Sequence, residues 1–196
     1  MTKIIGLTGS VGTGKSTASK QFNASGFPVV DADAIAHEQQ QRGTECYYDI
    51  VDLFGMDVVG PTSIDRKKLA EIVFSDKSKL RQLNRTMDLY IRREVLRQLK
   101  DYIAQSPDFV ILDAPLLFEL GYEAYVDVSA MVVCEPEIQI DRIKKRNQID
   151  TAAAVNLIGQ QWSQSMKRDL ADAVIDNSGS IMQTSKQVLE LLESLL

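Results

Sequence analysis

Gly9-Ser10-Val11-Gly12-Thr13-Gly14-Lys15-Ser16 satisfies the pattern G-x-x-x-x-G-K-[ST] at every fixed position. A short apolar run, residues 3–8, comes before it, and a segment of helical character, residues 16–25, follows and stops at Gly26. That order of strand, glycine loop and helix constrains the fold, because such a loop works where a buried strand delivers it to a helix N-terminus. The glycines let backbone N–H groups converge on phosphate oxygens, and the helix end adds positive potential. Lys15 can then reach β- and γ-phosphates, and the Ser16 hydroxyl can ligate Mg²⁺. Lys15 is expected to have no structural task of its own.

Four further apolar runs read as strands: residues 27–30 ending at Asp31, 109–112 ending at Asp113, 128–133, and 173–175. Helices are expected over 33–41, 66–74, 83–105, 135–146, 151–164 and 181–196. In the longest of these, Leu83, Met87, Ile91, Val95, Leu99 and Ile103 recur at a spacing of four. Five apolar strands separated by helices predict an α/β fold, a five-stranded parallel sheet covered by helices on both faces. Residues 32–108 far exceed a crossover of about a dozen residues and read as a helical insertion. The nucleotide-binding core is then 1–31, 109–139 and 166–196, with 140–165 as a candidate lid.

Charge and composition exclude several classes. Lys and Arg number 22 against 27 Asp and Glu, a net charge of −5, whereas a nucleic-acid or anionic-membrane binder calls for a basic excess. Cys46 and Cys134 have no metal-type spacing, and His37 is the single histidine, so no His-rich metal site is expected. No signal-peptide pattern opens the chain and no apolar run reaches the roughly 18 residues of a membrane span, which predicts a cytoplasmic protein with reduced thiols. No obligate protein partner is evident in the sequence.

The phosphate loop alone does not say what is done with the phosphate. A guanine-reading Asn-Lys-x-Asp pattern is absent, Asn147-Gln148-Ile149-Asp150 lacking the lysine. A short chain with a helical insertion and a basic stretch after its fourth strand suits a kinase of small molecules, although a nucleotide-dependent module without transfer stays open. Asp31 and Asp33 stand where the second strand ends, at the sheet edge where open α/β folds bind ligands. Either could take the proton of an attacking hydroxyl, or serve only as a helix cap or first-turn acid. Asp113 either holds Mg²⁺ through water or caps the turn before Pro115. Arg142 and Arg146, in the run Arg142-Ile143-Lys144-Lys145-Arg146, are either lid arginines over the transferring phosphoryl group or a solvated helix end. Asn177-Ser178-Gly179 either lines the adenine pocket or makes a plain turn.

Taken together, several segments resemble dephospho-CoA kinase, a family of P-loop kinases. They are Ile5-Gly6-Leu7-Thr8-Gly9 with the loop through Lys15-Ser16-Thr17, Asp31-Ala32-Asp33 with Ile35-Ala36, Asp65-Arg66 with Leu69 and Val73-Phe74, Asp113 through Glu119, Arg146-Asn147, and Ala171 through Gly179. The resemblance implies a P-loop kinase fold, ATP and dephospho-CoA as substrates, and phosphoryl transfer to the 3′-hydroxyl of the acceptor ribose. It assigns the catalytic base to Asp33, the CoA-binding role to the insertion, and the lid to the segment from Arg142 to Gln164. Gly12, Thr13, Gly14, Lys15, Ser16, Thr17, Asn177 and Gly179 become ATP-binding candidates, and Ser16 and Asp113 metal-binding ones. Two positions depart from the family pattern: Asp88-Leu89 replaces His-Pro, with Asp88 expected to cap a helix starting near Leu89, and Leu157 stands where many members carry arginine.

Overall fold

The apolar run at the N-terminus forms β1, Lys3–Gly9, which becomes fully buried from Ile5 onward. The computed structural model describes all residues from Met1 to Leu196. The strands β2 (Val29–Asp31), β3 (Phe109–Asp113), β4 (Val128–Val133) and β5 (Ala173–Asp176) join β1 in one sheet of order β2-β3-β1-β4-β5. Parallel register pairs Leu7 with Asp113, Gly9 with Val132, and Val133 with Asp176. The loops that follow β1, β3, β4 and β5 therefore gather along one carboxyl edge, where ligands bind in open parallel sheets.

Helices flank the sheet. Helix α1, Lys15–Ala24, and the last helix, α9 (Ile181–Leu195), pack against each other, and their Ala18, Phe22, Val188 and Leu192 join Ile5, Leu7, Phe109, Ile111, Ala130 and Val132 in one core. Ser180 and Gln183 form a reciprocal capping box that starts α9 where the turn of Asn177-Ser178-Gly179 ends. Helix α6, Pro136–Asn147, begins with proline at its first turn. The single helix expected over 151–164 is instead two, α7 (Thr151–Ile158) and α8 (Gln164–Leu170). Gly159 ends the first, and Ser163 caps the second by accepting from Met166 N, so local capping overrides the run of helix formers.

The chain divides into two compact units, Met1–Val30 with Asp101–Leu196, and Asp31–Lys100. The second is helical: α2 (Ala32–Gln39), α3 (Glu45–Phe54), a 3₁₀ turn at Met56–Val58, α4 (Arg66–Phe74) and α5 (Lys77–Ile103) up to Lys100. Its own core contains Cys46, Tyr47, Ile50, Val58, Ile64, Leu69, Val73 and Tyr90. Tyr90 donates to Asp49 Oδ2 at 2.5 Å, and that bond pushes its phenol up to about 12. Residues 101–108, expected in the insertion, go with the sheet, because Thr2 Oγ1 and Lys3 N bond the carbonyls of Pro107 and Asp108 at 2.7 and 2.9 Å.

Two expectations about this unit need correction. Helix α3 had no counterpart in the sequence reading, although Thr44 caps it through Tyr47 N at 3.1 Å. Asp88 is no cap and no helix starts at Leu89, since both lie well inside α5, whose first turn is held by Asp76 accepting from Ser78 N and Lys79 N. Asp88 instead pairs with Arg92 one turn on, at 3.1 Å.

Candidate active site

The phosphate loop leaves β1 at Gly9 and enters α1 at Lys15. Gly12 and Gly14 have φ of 82° and 85°, which side-chain-bearing residues rarely adopt. Space excludes a side chain as well: a Cβ at Gly12 would lie 2.7 Å from Ile143 Cγ1, and one at Gly14 would collide with Asn177 Nδ2. At these two positions side chains from α6 and from the turn after β5 pack directly on the loop backbone.

The loop's shape is held from outside it. Thr13 N and Oγ1 both donate to Ser10 O, at 3.1 and 2.9 Å. Thr13 O accepts from Asn177 Nδ2 at 2.8 Å and from Arg142 Nη1 at 3.1 Å. Asn177 is wholly engaged: its Oδ1 accepts from Thr184 Oγ1 at 2.8 Å and its carbonyl from Arg142 Nη2 at 2.9 Å. Its side chain therefore braces the loop. Arg142 is likewise anchored to the loop, whereas Arg146 is exposed and bonds only the neighbouring Asn147 Oδ1 at 3.0 Å.

Lys15 and Asp113 meet as an ion pair, with the Asp113 carboxylate buried at the end of β3. This corrects the expectation that Lys15 lacks a structural partner. Ser16 stands exposed in the first turn of α1, and Thr17 N closes that turn on Gly14 O at 2.8 Å. Gly179 lies beside Gln183 of the α9 capping box. Cys134 is buried close to Gly12 O, and burial pushes its thiol above the ordinary value, so it stays protonated. The other cysteine, Cys46, is also buried and unpaired by disulfide.

The lid expected to begin at residue 140 has its boundary inside α6. Residues 140–147 continue that helix, and Ile143 packs fully buried over Gly12. Sequence reasoning missed Gln139, Gln161 and Gln164, which hydrogen-bond to the loop or to one another, and it missed Lys167, a lysine with no exposed surface. No pattern of spacing announces a lone glutamine or a buried lysine.

In the helical unit, Asp31 caps α2 by accepting from Ala34 N at 2.9 Å. Asp33, in the first turn of α2, is exposed and lies at the rim of a pocket of about 350 Å³. Leu69, Val73, Phe74, Leu80 and Leu83 make its apolar wall, and His37, Gln40 and Arg66 its polar one. Arg66 is steadied by His37 Nδ1 and by Gln40 Oε1.

A phosphate loop between the central strand of a five-stranded parallel sheet and its first helix, with a lysine–aspartate pair beside it, defines a P-loop kinase. Shikimate kinases from Bacteroides thetaiotaomicron and Aquifex aeolicus share the fold at TM-scores of 0.50 and 0.53, with 16% and 17% identity. The chain belongs to the dephospho-CoA kinase family, whose model matches residues 3–183. It is 42% identical to the dephospho-CoA kinase of Bacillus licheniformis over 99% of this chain and 97% of that one, and 40% identical to that of Enterococcus faecalis over 98% and 97%. Among solved structures, a Thermus thermophilus protein superposes with a TM-score of 0.83 at 31% identity, covering 100% of this chain and 98% of the other. Dephospho-CoA kinase from Campylobacter jejuni superposes at 0.75 with 27% identity, over 100% and 98%.

Proposed function

We propose that the chain transfers the γ-phosphate of ATP to the 3′-hydroxyl of the dephospho-CoA ribose, giving CoA and ADP, with Asp33 as the base. Membership of the family makes the reaction ATP-dependent phosphorylation of dephospho-CoA. The observation that carries the assignment of Asp33 is its carboxylate, exposed and without a hydrogen bond or ion pair of its own, at the mouth of a pocket with one apolar wall and one basic side chain, Arg66. Such a pocket suits an acceptor that joins an anionic head to a long, weakly polar arm.

In the sheet unit, backbone N–H groups of the loop at Gly14, Lys15 and Ser16, where α1 begins, receive the β- and γ-phosphates, and Lys15 leaves Asp113 to neutralise them. Arg142, fixed to the carbonyls of Thr13 and Asn177, keeps positive charge beside the loop. No cluster of three or more His, Cys, Asp or Glu is present to hold a metal unaided. Ser16, exposed and next in sequence to Lys15, and Asp113, the partner of Lys15, fit an ion that arrives on the nucleotide and needs few protein oxygens, as Mg²⁺ does. Bound there, Mg²⁺ would offset phosphate charge. Asp33 accepts the proton of the hydroxyl as that oxygen attacks, and the part of the 140–165 segment between α6 and Gln161, residues 148–160, acts as a lid that keeps water from competing.

No helix of the chain is long and apolar enough to cross a membrane, in keeping with small soluble substrates. The test is ADP release with dephospho-CoA against a panel of other hydroxyl-bearing metabolites. Turnover with dephospho-CoA at least tenfold above every other acceptor is the expected result, and equal rates with another acceptor would reassign the pocket.

A further inference from the structure

Val11, within the phosphate loop, is gripped on both of its backbone groups by side chains from elsewhere in the sheet unit. Gln139 Nε2 donates to Val11 O at 2.7 Å, and Gln161 Oε1 accepts from Val11 N at 2.8 Å. Gln139 is not free to turn away. Gln139 is 3% exposed and its Oε1 accepts from Gln164 Nε2 at 2.7 Å, while Gln164 is itself pinned to Cys134 N and O at 3.0 and 3.1 Å. Beside Gln161, the Trp162 carbonyl accepts from Ser10 Oγ at 3.3 Å and its N–H donates to Glu119 Oε1 at 3.4 Å.

Glu119 is held by Lys167 Nζ at 2.6 Å, and Lys167, without exposed surface, also donates to Pro115 O at 2.7 Å. The same carbonyl accepts from Thr8 Oγ1 at 3.0 Å. A buried ion pair adds little over apolar residues of similar volume. Here one acceptor, Glu119 Oε2, is buried without a hydrogen bond, which costs further stability. The pair is therefore better explained by the geometry it imposes than by the stability it confers.

We infer that Gln139 and Gln161 are positioning residues for the nucleotide phosphates: they clamp the Val11 peptide so that the loop has its receptive shape before ATP arrives, and the Lys167–Glu119 pair keeps Gln161 in register. The inference rests on the ATP reading above. A loop ordered in advance loses little freedom on binding, so the gain appears in nucleotide affinity. Acceptor affinity, which draws on the helical unit, is untouched by it.

The experiment uses the full chain, titrating ATP with Mg²⁺ and, separately, dephospho-CoA by calorimetry, with thermal melts of each variant. Gln161→Ala should raise the ATP Kd about fivefold, the worth of one net hydrogen bond, leave the dephospho-CoA Kd unchanged and move Tm by no more than about 2 °C. In steady state, its KM for ATP should rise by more than kcat falls. Lys167→Met combined with Glu119→Gln, which leaves no buried charge unpaired, should give the same pattern, and if that variant does not fold then Gln161→Ala decides alone. An unchanged or tighter ATP Kd in Gln161→Ala, or equal weakening for both substrates with a lowered Tm, overturns the inference. Failure of the natural protein to bind ATP overturns the ATP reading and the inference with it.

Discussion

Lys15 Nζ is ion-paired with Asp113 Oδ1, joining the lysine of the phosphate loop to the carboxylate that ends β3. Their side chains are 15% and 4% exposed, so removal of Lys15 takes a charged partner from a buried carboxylate. Lys15→Ala should nearly abolish turnover and also lower the unfolding free energy by about 3 kcal/mol, the low end for breaking a buried pair because Lys15 keeps some exposure. Adding Asp113→Asn to it should restore most of the stability and none of the turnover. Denaturant unfolding and single-turnover assays check the two halves; a fully stable Lys15→Ala would show that the pair carries no structural load.

Asp33→Asn keeps the shape of the side chain and removes its basicity. The chemical step should slow by about 10²-fold to 10⁴-fold, with ATP affinity almost unchanged, the signature of a positioned base. Quenched-flow measurement of the first turnover tests this. A rate equal to that of the natural protein would leave Asp33 as a first-turn acid of α2.

Asp172 links the start of β5 to β4 by accepting from Ser129 N and Oγ at 2.8 and 2.7 Å. Those bonds hold its carboxyl below the usual range. A carboxyl whose folded pKa is lowered stabilises the fold above its unfolded value of about 3.9 and loses that contribution as pH falls through the folded value. Asp172→Asn should therefore melt below the natural protein at pH 7, and the gap should close from about pH 5 downward. Melting curves across pH 3–7 would refute this by showing a gap that is constant or widens in acid.

Asp88 and Arg92 are partners on one face of α5, both partly exposed. Pairs of this kind add about 0.3–0.5 kcal/mol, so Asp88→Ala should cost no more than that. A loss above 1 kcal/mol in denaturant melts would mean that Asp88 has a larger task in the helix than its geometry shows.

Local chemistry along the chain was enough for the skeleton of the sheet unit. Short apolar runs that end in Gly9, Asp31 and Asp113 leave few alternatives to buried parallel strands, and glycine at 12 and 14 with Lys15-Ser16 leaves few alternatives to a phosphate loop. Helix α4 was legible to its ends because Asp65 caps it. Helix α3 was not read, although Cys46, Tyr47 and Ile50 make its buried face and Thr44 caps it, and the break between α7 and α8 turns on one glycine and one serine. Asp33 could be singled out by its place after β2 but not told from a first-turn acid, because spacing says nothing about what shares a pocket with it. Tertiary structure alone decided that Lys15 meets Asp113, that Asn177 and Arg142 brace Thr13, and that glutamines hold Val11. These contacts join residues 98 or more positions apart, through hydrogen bonds whose strength depends on burial and angle, and neither quantity is written in a local stretch of sequence.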